Sequence, residues 1–256
     1  MNLFDLHPKP ETLKGYQQRF QVPELAYEEA VKRAKGKKGQ ERRSPDLEQV
    51  LVKDPVWAFM YARDVIKGRW PEAEPVIVKD PEYSFYYARG VIGKRFPEAE
   101  PVIAKDPRWS LSYARYVVKK RWPEGEKAIA TDPERAYEYA SFILGKRWPE
   151  AEPVIVKEPE PAYLYARYVV RGRWPEAESV ITADPLYAYN YAKEIIKGRW
   201  PEGEPAIAKN PGAAYYYARE VIKGRWREGE PAIFTDRNLA DQYWKFNHLW
   251  SEKPHP

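Results

Sequence analysis

The sequence predicts an all-α fold, an α-solenoid of 26-residue two-helix repeats, and three observations carry that expectation. The pair Asp54-Pro55 returns at Asp80-Pro81, Asp106-Pro107, Asp132-Pro133, Glu158-Pro159, Asp184-Pro185 and Asn210-Pro211, always 26 residues apart. A fixed period of about 20 to 50 residues marks stacked repeats, because so small a unit buries its apolar face only against its neighbours. Within one period Ala58, Phe59, Tyr61, Ala62, Val65 and Ile66 recur at spacings that share one face of a helix. Prolines stand at the two places where a helix would begin, Pro55 and Pro71.

Taken in order, residues 1–22 precede the register and form an N-terminal capping segment, with a short helix expected over 11–20. Residues 23–54 are a divergent first repeat: Ala30 and Gly36 fall where Ala62 and Gly68 fall, and Pro45 to Asp54 matches Pro71 to Asp80. Between these matches, Lys37 to Ser44 replaces the Arg69-Trp70 pair with a longer basic loop. Seven regular repeats fill 55–236. A C-terminal capping helix and tail occupy 237–256, where Tyr243 keeps the register and Trp244 replaces an alanine.

Inside a unit, Asp54 is expected to cap the leading helix and Pro55 to open it, since proline's missing donor costs nothing at that position. Gly68 is expected to end it in the left-handed conformation. Lys94, Lys120 and Lys146 replace that glycine in other units, which predicts a cap that varies along the array. The trailing helix is expected to start at Pro71, with Glu72 and Glu74 at the positive end of its dipole, and to last about two turns. The expected core of a unit is Ala58, Ala62, Val65, Ile66, Ala73, Val76 and Ile77. The tyrosines equivalent to Tyr61 should pack between units with the hydroxyl reaching water. In the recurring Arg-Trp pair the ring should cover the corner between helices, and the arginine should pair with a glutamate such as Glu74 or Glu100.

Composition narrows the function. There is no cysteine, which excludes a disulfide framework, a thiol nucleophile and a cysteine metal site. His7, His248 and His255 lie in terminal segments, and nothing resembles a nucleophile–base pair, a zinc set or a phosphate loop. The expectation is a protein that is not an enzyme and uses neither metal nor cofactor. The start of the chain lacks the basic and apolar run of a secretory signal, and no apolar stretch is long enough to span a bilayer, so a cytoplasmic protein with no membrane partner is expected. The net charge of +5 is uneven: Val31 to Arg43 carries +6, whereas residues 55–236 carry +2.

Two surfaces could bind. Arg63, Arg89, Arg115, Arg167, Lys193 and Arg219 fall at one position of successive units and predict a basic ribbon broken at Ser141. Lys37, Lys38, Arg42 and Arg43 of the early loop would add to it as phosphate-binding residues. The positions that change from unit to unit lie on the outward side of the leading helix, and Tyr116, Phe142 and Tyr168, with Tyr86 and Tyr216, are the candidate partner-binding residues there.

The string Arg-Trp-Pro-Glu-Ala/Gly-Glu-Pro-x-Ile-x-Lys-Asp-Pro, with Tyr-Ala-Arg, resembles short tandem repeats of uncharacterised bacteriophage proteins over residues 45–236. That resemblance implies a viral protein working in a host cytoplasm and assigns no site. In architecture the array is similar to tetratricopeptide, Sel1-like and pentatricopeptide repeats, with a shorter period and without their consensus residues. The function expected is a non-enzymatic scaffold that binds a protein partner, a host factor if the chain is viral, through its variable face. The alternative is nucleic-acid binding along the ribbon, and self-association is a third reading.

Overall fold

The computed structural model describes residues 22–251, so the capping helix expected over 11–20 lies outside them. Among the described residues every regular element is helical, and the chain is an α-solenoid of 26-residue units. Its contacts divide it into two bodies, one ending at Ile129 and the other beginning at Ala130. The first body opens with a helix at Pro23–Ala34, a 3-10 turn at Gly39–Arg42 and a helix at Pro45–Leu51 before the regular units begin. The second closes with the capping helix Arg237–Ser251. No helix among the described residues is long and apolar enough to cross a membrane.

Each leading helix is built in two parts. Pro55–Tyr61 is an α-helix capped by the Asp54 carboxylate, which accepts from the Val56 and Trp57 N–H groups, and Ala62–Ile66 continues it as a π-turn. The Ala62 carbonyl then accepts from the N–H groups of both Lys67 and Gly68. The left-handed residue that stops the helix is Lys67, at φ 59°, and not Gly68 as the sequence suggested. The same position is left-handed at Gly93, Lys119, Gly145, Arg171, Lys197 and Lys223. The cap is therefore uniform along the array, and it is the residue type that varies.

The trailing helices correct a second expectation. In five units the α-helix starts at the fourth residue of the segment, as at Glu74–Ile77, and not at Pro71. Pro123–Ile129 and Pro175–Ile181 do start at the first proline. These two units carry Lys127 and Ser179 where the others carry the proline equivalent to Pro75. Proline has no N–H to bond back to the residue four earlier, so the first turn cannot close. The helix Pro45–Leu51, with Gln49 at that position, obeys the same rule.

Ala58, Ala62, Val65, Ala73 and Ile77 are fully buried, as expected, whereas Ile66 and Val76 are half-buried. The largest buried side chains are the recurring tyrosines and tryptophans, including Tyr61, Tyr87 and Trp70. The tyrosine hydroxyls do not reach water. Tyr87 Oη accepts from the Trp70 N–H at 2.6 Å and donates to Glu74 at 2.9 Å, and Arg69 grips the same glutamate with two bonds of 2.8 and 2.7 Å. An arginine and a glutamate of one unit thus hold a tyrosine of the next. The cluster repeats at Tyr113 in the first body and at Tyr165, Tyr191, Tyr217 and Tyr243 in the second. The indole N–H groups of Trp70, Trp174, Trp200 and Trp226 are buried without a partner. Phe96 fills the same place in one unit, so ring volume is what the corner requires.

Candidate functional site

The early basic loop is mostly structural. Arg43 forks onto Glu48 at 2.8 and 2.7 Å, and the Ser44 N–H donates to Tyr61 Oη, so these two residues take the places of Arg69 and Trp70. Arg42 donates to the carbonyls of Val65, Asp64 and Lys37, which ties the loop down onto the end of the first regular leading helix. Arg42 and Arg43, expected as phosphate-binding residues, are thus both engaged by groups of the chain itself. Lys37 and Lys38 are exposed.

The ribbon is not uniformly charged, and the variable column next to it decides where it is. Asp64 pairs with Arg63 at 2.7 Å and accepts from the Tyr27 hydroxyl. Glu194 pairs with Arg167, and Glu220 with Lys193, in each case reaching back one unit. Burial, then the bond to Asp64, pushes the Tyr27 phenol up to about 12. The same column holds Gly90, Tyr116, Phe142 and Tyr168 in the intervening units. Where an acid stands there the neighbouring cation is neutralised.

In the first body Tyr116 occupies the place that would neutralise Arg89. The Arg89 guanidinium lies 4.5 Å over the Tyr116 ring, and that of Arg115 lies 5.4 Å from it. Phe85 touches the ring at 6.4 Å between centroids. Beside them opens a groove of about 350 Å³ lined by Arg89, Gly93, Arg115, Tyr116, Val117 and Lys119. None of these six is acidic. Tyr86, expected on the partner-binding face, is half-buried, stacked on Phe59 at 5.9 Å and edge-on to Trp109.

In the second body Phe142 is 54% exposed and Tyr168 45%, with the Arg167 guanidinium 4.9 Å over the Tyr168 ring. Phe142 and Leu164 line a groove of about 340 Å³ with Glu134, Glu138, Glu158 and Glu160. Arg135 pairs with Glu134 and Glu138 there. Tyr216 is exposed and stacked on Tyr189, and Arg219 donates to the Tyr215 hydroxyl. Tyr116 and the pair Phe142 and Tyr168 thus belong to different bodies.

The signal that sequence reading missed is the pairing rule itself. It needs to be known that an acid of one unit reaches the cation of the unit before, which the bare column of residues does not reveal. Among the described residues no group of three or more His, Cys, Asp or Glu side chains could hold a metal ion. Comparison with protein-family models, with curated proteins and with solved structures returned no match.

Proposed function

We propose that the chain is a non-enzymatic repeat scaffold that binds a protein partner through the variable face of its leading helices, with the first body taking a segment that presents acidic groups. The observation that carries this reading is where the exposed apolar side chains fall. Tyr116, Phe142, Tyr168, Leu186 and Tyr216 are each at least 42% exposed, and all five stand on the variable columns. The constant columns of the same helices bury theirs. An exposed aromatic in a column that the repeat itself leaves free is the composition of a protein-binding anchor.

The nucleic-acid reading has less support. A phosphate track needs cations at every step, and Arg63, Arg167 and Lys193 are already paired with carboxylates. If the resemblance to phage repeats holds, the partner is a bacterial protein met in the cytoplasm.

The test compares the wild type with the triple variant Tyr116→Ser, Phe142→Ser, Tyr168→Ser as baits in nuclease-treated bacterial lysate. A stoichiometric protein held by the wild type and lost by the variant, with the helical circular dichroism of both unchanged, is the expected result. Equal retention by both baits, or retention abolished by nuclease, overturns it.

A further inference from the structure

We propose that the acid-edged apolar groove of the second body takes the exposed lysine loop of another copy of this chain. This goes beyond the scaffold reading and shares only Phe142 with it.

The groove combines Phe142, Leu164, Pro161 and Tyr137 with Glu134, Glu138, Glu158 and Glu160. Tyr137 and Pro161 are buried, whereas Phe142, Glu134, Glu158 and Glu160 are exposed, which puts an apolar base under an acidic edge. Arg135 offsets part of the charge by pairing with Glu134 and Glu138, and Tyr187 is hydrogen-bonded to Glu160. Glu158 has no cation partner among the described residues.

Two departures from the repeat meet there. Where Glu158 stands, the other regular helices are preceded by Asp or Asn, whose side chain accepts from the N–H three residues on. In this helix the residue three on is Pro161, which has no N–H to offer. Glu158 accordingly makes no cap bond, and its side chain lines the groove instead. The two units that form the groove, 133–158 and 159–184, are also the only regular units with more acids than bases.

The complementary surface lies on the first body. Every residue from Lys35 to Glu41 is exposed, and Val31, in the last turn of the helix before them, is 40% exposed. Arg33, Arg42 and Arg43 are engaged within the chain. The side chains of Lys35, Lys37 and Lys38 meet no carboxylate among the described residues. Arg42 donates to the Lys37 carbonyl at 3.0 Å and ties the loop to the carbonyls of Val65 and Asp64. The lysines are therefore presented from a backbone that is already ordered, which lowers the cost of docking.

One chain thus carries both halves of a charge-complementary contact, and that selects a second copy as the occupant. In the contact the lysine stems lie over Phe142 and Leu164 while the ammonium groups meet Glu158 at the edge. A volume of about 340 Å³ lies at the small end of ligand pockets and suits inserted side chains. The two patches differ, so copies either fill one another's grooves in a closed assembly or run on as a chain.

Sedimentation velocity of the whole chain over a concentration series tests this, at low salt and at about 1 M salt, where the Debye length is about 3 Å. Association that grows with concentration and weakens in salt is expected. The groove variant Glu158→Lys, Glu160→Lys and the loop variant Lys35→Ser, Lys37→Ser, Lys38→Ser change exposed residues only. Each should associate about tenfold more weakly than the wild type, with its helical circular dichroism unchanged. An equal mixture of the two keeps one intact groove and one intact loop, and should recover a one-to-one dimer that neither variant forms alone. A groove or loop variant that associates like the wild type overturns the proposal, and so does a mixture that recovers nothing. A wild type that stays monomeric at every concentration overturns the second copy as occupant. If that monomer nonetheless binds a labelled peptide of residues 31–43, and the groove variant does not, the groove belongs to a basic segment of another protein. None of these outcomes involves Tyr116 or Tyr168, so the lysate comparison stands or falls separately.

Discussion

At the scale of the residue, the recurring tyrosine does most to join one unit to the next. The Tyr87 ring is fully buried, and its hydroxyl bridges the Trp70 N–H to the Glu74 carboxylate. Burial, with Glu74 beside it, pushes the phenol far above its ordinary range, so it stays protonated and keeps donating. Tyr87→Phe keeps the ring and deletes the bridge, leaving the buried Trp70 N–H without its acceptor. A loss of about 1–3 kcal/mol is expected, the cost of orphaning a buried donor. Urea unfolding of the variant measures it, and an unchanged midpoint would show that water replaces the hydroxyl. The tyrosine's place on the apolar face was legible in the sequence; its partner was not, because Trp70 stands 17 residues earlier, in another unit. The left-handed cap was misplaced for a related reason. Gly68 is the residue whose backbone favours that geometry, yet Lys67 adopts it at φ 59°, and no local preference of lysine points there.

At the scale of the element, one proline sets the length of each trailing helix. Where Pro75, Pro101, Pro153, Pro205 or Pro231 stands, only one turn is α-helical; where Lys127 or Ser179 stands, the helix reaches back to the first proline. Pro101→Ser should therefore extend the Glu100–Ile103 helix toward Pro97. Backbone chemical shifts of residues 97–100 becoming helical would confirm the extension, and unchanged shifts would assign the short helix to tertiary packing instead. The global midpoint is expected to move little, since removing proline also loosens the unfolded chain. The sequence contained this information in the missing prolines of two units, but tolerance of Pro75 near a first turn masked it. The π-turn at Ala62–Ile66 had no such signal. It arises where the chain bonds Lys67 back to Ala62, a closure that helical periodicity does not distinguish from an ordinary last turn.

At the scale of the whole molecule, the period made the fold legible, whereas the candidate site became legible only through differences between units. The exposed positions of Tyr116, Phe142 and Tyr168 followed from their columns; the pairing of Arg63, Arg167 and Lys193 with acids of the neighbouring column did not. The same repetition makes one property of the array predictable from a single cluster. Arg69 holds the Glu74 carboxyl below the usual carboxylate range, with the Tyr87 hydroxyl adding to it, and Arg95, Arg147, Arg173 and Arg225 do the same for Glu100, Glu152, Glu178 and Glu230. A carboxylate whose pKa is lower folded than unfolded binds fewer protons in the folded state. Its contribution is complete above the unfolded value and is lost as pH falls through the folded one. The unfolding free energy measured with urea should accordingly stay level from pH 7 to 5 and fall steeply below about pH 4, by about 1.4 kcal/mol per pH unit for each proton taken up. Because each cluster ties neighbouring units, the protons act on the contacts that make the stack cooperative. Replacing Glu74 and Glu100 together by Gln should lower the midpoint at neutral pH and flatten the acid limb. An acid limb of undiminished slope in that variant would assign the pH dependence to carboxylates outside the clusters.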